Sequence, residues 1–76
     1  MNYNQRHSDD IAYFLAFCIE IYKNANHMGG AEVSRLFCST GLDDFLTDNY
    51  GPIHTQSPQW ILEEINEYLS AHKSHS

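Results

Sequence analysis

Between Ile11 and Ala25 the apolar side chains return every three or four positions. At 100° per residue Ile11, Phe14, Leu15, Cys18, Ile21, Tyr22 and Ala25 share one broad face, with Ala16, Glu20, Lys23 and Asn24 opposite. This pattern predicts an amphipathic helix. Ser8 reads as its N-cap, and Asp9 and Asp10 read as first-turn carboxylates at the positive end of the helix dipole. The helix is expected to run to about Asn26 and to stop at Gly29-Gly30, since glycine readily takes the left-handed backbone of a C-terminal cap.

A second, short helix is predicted from Ala31 to about Ser39, with Val33, Leu36 and Phe37 on one side and Thr40-Gly41 closing it. A third, Leu42 to about Asn49, groups Leu42, Phe45 and Leu46 and turns Asp43, Asp44 and Asp48 outward; Gly51-Pro52 is then expected to force a turn. The last helix opens with Ser57 as N-cap and Pro58 at the first helical position, where a missing N–H costs nothing. Ile61, Leu62, Ile65, Tyr68 and Leu69 form its apolar stripe. No stretch shows sustained strand alternation, so the expected fold is all-α: a compact bundle of four helices, two long and two short. One domain over residues 1–76 is expected, with residues 1–7 and 71–76 frayed.

Composition narrows the function classes. At 76 residues the chain buries only ~60% of the surface its unfolded form exposes, so the core is thin. Hydrophobic residues at 42% beside 18% charged still describe a folding chain rather than a disordered one. Four basic against ten acidic side chains give a formal charge of −6, which repels phosphate backbones and anionic membranes and favours a basic protein surface as partner. A helix-turn-helix reading of the second and third helices fails on this ground, because the would-be reading helix presents Asp43, Asp44 and Asp48 to the phosphates. The stretch Ile11 to Tyr22 is interrupted by Glu20 and is too short for the ~20 residues that span a bilayer. The first eight residues carry no signal-peptide apolar core, so a cytoplasmic location is expected. Cys18 and Cys38 lack C-x-x-C spacing and are expected to be reduced structural thiols.

Three sets of residues stand out. On the last helix Trp60 lies away from the apolar stripe and lines up with Glu63, Glu64 and Glu67; a tryptophan framed by carboxylates suits a basic protein partner, while packing of Trp60 onto Tyr50 or Ile53 is the structural alternative. His54-Thr55-Gln56 supplies imidazole, hydroxyl and amide beside a helix N-terminus, fitting either a small-molecule or anion site or simple capping of neighbouring backbone. Tyr13 and Phe17, four apart on the flank of the first helix, widen its apolar surface toward a second contact, a homodimer or a heteromeric partner, while aromatic covering of the core edge is the structural alternative. No metal site or cofactor is expected: the Glu63, Glu64 and Glu67 face lacks the Glu-x-x-His pairs of a di-iron centre, and His7, His27, His72 and His75 are scattered. No catalytic constellation is visible, so the chain is expected not to be an enzyme.

Ile11-Ala12-Tyr13-Phe14-Leu15, Glu32-Val33-Ser34-Arg35-Leu36-Phe37 before Gly41-Leu42, and Asp44-Phe45-Leu46 through Tyr50 follow one another in a set order. That order resembles a family of small bacterial proteins, the domain-of-unknown-function family thirty-seven ninety-one. His54-Thr55-Gln56 and the closing stretch Ile61 to Leu69 extend it over nearly the whole chain. His54-Thr55-Gln56 is its distinctive part, and Gly51-Pro52 just before Ile53-His54 departs from the family pattern. The resemblance implies no catalytic residues. It implies instead a companion of neighbouring-gene proteins related to ADP-ribosyltransferases, in an arrangement like toxin and antitoxin.

Overall fold

The computed structural model describes residues 3–73, with side chains described over 9–72. Five helices follow one another: α1 (Tyr3–Asn26), α2 (Gly30–Thr40), α3 (Leu42–Asp48), α4 (Tyr50–Ile53) and α5 (Pro58–Lys73). Among the described residues there is no strand, so the all-α class holds. The count is five rather than four.

The extra element is α4, where a turn was expected. Its four residues contain Gly51-Pro52 inside a single helical turn. Pro52 is tolerated there because the first N–H groups of any helix have no intrahelical partner. Gly51 suits the position before it, since that residue's Cβ would meet the proline ring in helical backbone. The Ile53 N–H donates to Asn49 O at 3.1 Å and the His54 N–H to Tyr50 O at 2.9 Å.

α1 ends at Asn26, as expected, but its start and the residue that caps its end differ from expectation. The helix begins at Tyr3, so Ser8 is not its N-cap and Asp9 and Asp10 are not in its first turn. At the other end His27, not Gly29 or Gly30, takes the left-handed conformation, with φ 55°. The Met28 N–H then donates to Lys23 O at 3.1 Å, the long bond of a Schellman cap. Gly29 instead serves as the extended N-cap of α2. Residues 3–7 and 71–73 continue the flanking helices, and the outermost positions of the two segments expected to fray lie outside the described residues.

The core gathers one stripe from each helix: Phe14 and Cys18, Val33 and Phe37, Leu42 and Leu46, Ile53, then Ile61, Ile65 and Leu69. Every residue of the predicted stripes of α2, α3 and α5 is buried or half-buried. On α1, Ala25 is exposed, and Ile19, outside the predicted stripe, packs on the core instead. Aromatic edges close the seams, Phe14 against Tyr50 with ring centroids 5.4 Å apart and Tyr22 against Phe37 at 5.9 Å. The body measures 44 × 23 × 23 Å. Its long axis reflects α1, whose 24 residues reach about 36 Å.

The α2–α3 corner turns on one residue. Gly41, at φ 77°, caps α2 by donating its N–H to Cys38 O at 3.2 Å and opens α3 by accepting from the Phe45 N–H at 3.0 Å. Tyr68 of α5 locks this corner, its hydroxyl donating to Thr40 O at 2.8 Å.

Candidate functional site

The start of α5 forms as the sequence predicts. Pro58 is the first helical residue, and the Trp60 N–H donates to the Ser57 Oγ at 3.2 Å, an N-cap reaching its third residue. Because Ile61, Ile65 and Leu69 anchor the opposite side in the core, the helix turns positions 60, 63, 64 and 67 away from it. Trp60 is 38% exposed, one of three large hydrophobic side chains on the surface among the described residues. Glu63 and Glu67 are exposed beside it and Glu64 is half-buried. Among the described residues the one ion pair joins Lys23 to Glu20 at 3.5 Å, on α1, so no described cation neutralises the three α5 carboxylates. This face therefore carries, among the described residues, an exposed indole in line with three carboxylates that form no ion pair.

The loop His54-Thr55-Gln56 is fully on the surface, and its donors turn inward to backbone. His54 Nδ1 lies 2.8 Å from Tyr50 O and 2.9 Å from Gly51 O; carbonyls only accept, so the proton sits on Nδ1. Thr55 Oγ1 and Gln56 Nε2 both donate to Pro52 O at 3.4 Å. The contacts at Gly51 O and Pro52 O serve carbonyls that α4, only one turn long, leaves open, while Tyr50 O also accepts from the His54 N–H. The imidazole also stacks on Tyr50, centroids 4.2 Å apart and planes 10° apart.

The same device recurs at the end of α5. His72 stacks on Tyr68 at 3.9 Å and 16°, with Nδ1 2.8 Å from Tyr68 O. Neither stack was expected from the sequence, although the spacing Tyr-x-x-x-His, present at Tyr50 and Tyr68, signals them. His7 and His75 lie outside the residues whose side chains are described. Among the described residues no group of three or more His, Cys, Asp or Glu side chains is placed to hold a metal ion.

Tyr13 and Phe17 sit on α1, away from both features in the chain, and are 78% and 42% exposed. Of the two thiols Cys18 is buried, and burial pushes it up to about 12, far from a nucleophile's range. Cys38 is free and exposed, so it is not the packing residue its expected structural role requires. No described helix is long and apolar enough to cross a membrane.

No curated protein and no solved structure matches this chain. A family model does, over residues 13–72, a span that holds Tyr13, the loop at His54 and the whole acidic face of α5. Its description is "Protein of unknown function (DUF3791)", and by that match the chain belongs to this family.

Proposed function

We propose that the protein is a non-enzymatic interaction module that binds a basic protein surface through Trp60, Glu63, Glu64 and Glu67. The observation that carries this reading is the exposed indole in line with three carboxylates that no described cation pairs. Tryptophan is the residue type most enriched at binding hot spots, and its face attracts cations, arginine guanidinium above all. Carboxylates three and four residues further along the helix stand where they pair the same guanidinium. The loop at His54 is the weaker candidate for binding a small molecule or anion, since its donors already serve α4. Following the resemblance noted in the sequence, the first partner to test is an ADP-ribosyltransferase-like product of a neighbouring gene, held in an antitoxin-like complex.

The test is native co-purification of the tagged protein expressed with its chromosomal neighbours, followed by the mass of the intact complex. A stable complex is expected, weakening as salt rises. Trp60→Ala with Glu64→Lys is expected to weaken it by about 30-fold or more, the loss typical of a hot spot. A complex of unchanged affinity in that double variant would refute the assignment of this face.

A further inference from the structure

We draw no further inference here: the strongest candidate, the surface patch of Tyr13 and Phe17 on the outward side of α1, is an unpartnered apolar face, and nothing in the structure shows what covers it.

Discussion

Replacing Gly41 by alanine tests how the α2–α3 corner is built. Two separate physical terms oppose the substitution. At φ 77° an L-residue other than glycine loses about 1–2 kcal/mol through its Cβ and the adjacent carbonyl. The new Cβ would also stand 3.2 Å from the Tyr68 hydroxyl, tighter than a comfortable contact, at the group that donates to Thr40 O at 2.8 Å. Displacing that hydroxyl weakens a bond worth about 1 kcal/mol. Alanine returns about 0.4–1 kcal/mol by restricting the unfolded chain, so the expected net loss is about 2 kcal/mol. For a domain of this size that lowers the melting temperature by about 8–16 °C.

A double-mutant cycle in urea separates the two terms. Tyr68→Phe alone is expected to cost about 1 kcal/mol and to remove the atom the new Cβ meets. In that background Gly41→Ala retains only its backbone cost, so the double variant is more stable than the sum of the singles by about 1 kcal/mol. If Gly41→Ala costs under about 0.5 kcal/mol, the left-handed conformation is not a constraint on the corner; if the two costs add within about 0.3 kcal/mol, the hydroxyl contact is not one.

Three further outcomes are expected. His27→Gly relieves the left-handed backbone at the Schellman cap and is expected to stabilise the chain by about 0.5–1 kcal/mol in chemical denaturation, whereas a loss would mean the imidazole makes a compensating contact. Ser57→Ala removes the bond to the Trp60 N–H and is expected to cost about 1 kcal/mol by the same assay. The Cys18 thiol, raised by burial from 9.0 to about 12, stays protonated in the folded state at pH values where the unfolded state releases its proton. Its contribution is therefore complete below pH 9 and is lost as pH rises toward 12, with a slope approaching about 1.4 kcal/mol per pH unit. Cys18→Ala is expected to lack that part of the alkaline decline in urea titrations; identical slopes in the two proteins would refute the burial argument.

Legibility in the sequence followed how local each feature's cause is. The start and buried stripe of α5 were readable because Ser57, Pro58 and Ile61, Ile65, Leu69 each act within one or two turns, whereas its continuation to Lys73 was not. The position of Trp60 away from the core followed from the same stripe. The start of α1 was not readable, because Ser8-Asp9-Asp10 has the chemistry of an N-cap while helical backbone continues upstream to Tyr3. Its end at Asn26 was readable, but the cap was assigned to the wrong residue, because two glycines promise the left-handed conformation more strongly than the histidine that adopts it. α4 was hidden by Gly51-Pro52, whose usual meaning as a breaker lapses when the helix is only its own first turn. The bond from Tyr68 to Thr40 spans 28 positions and has no local signature at all. The candidate faces were visible as outward positions, but the inward commitment of the His54 loop's donors required coordinates.

Trp60, Glu63, Glu64 and Glu67 follow one another at helical spacing on α5, so two copies of this protein repel each other across that face, and under the proposed reading it is left to basic partners. Screening ions weaken such a contact, whereas a contact made by apolar side chains alone keeps its strength as salt rises. A salt series on the complex therefore tests which kind of surface holds the partner: affinity that falls steadily from about 50 to 500 mM salt assigns the contact to the α5 carboxylates, and affinity that stays level removes them from it.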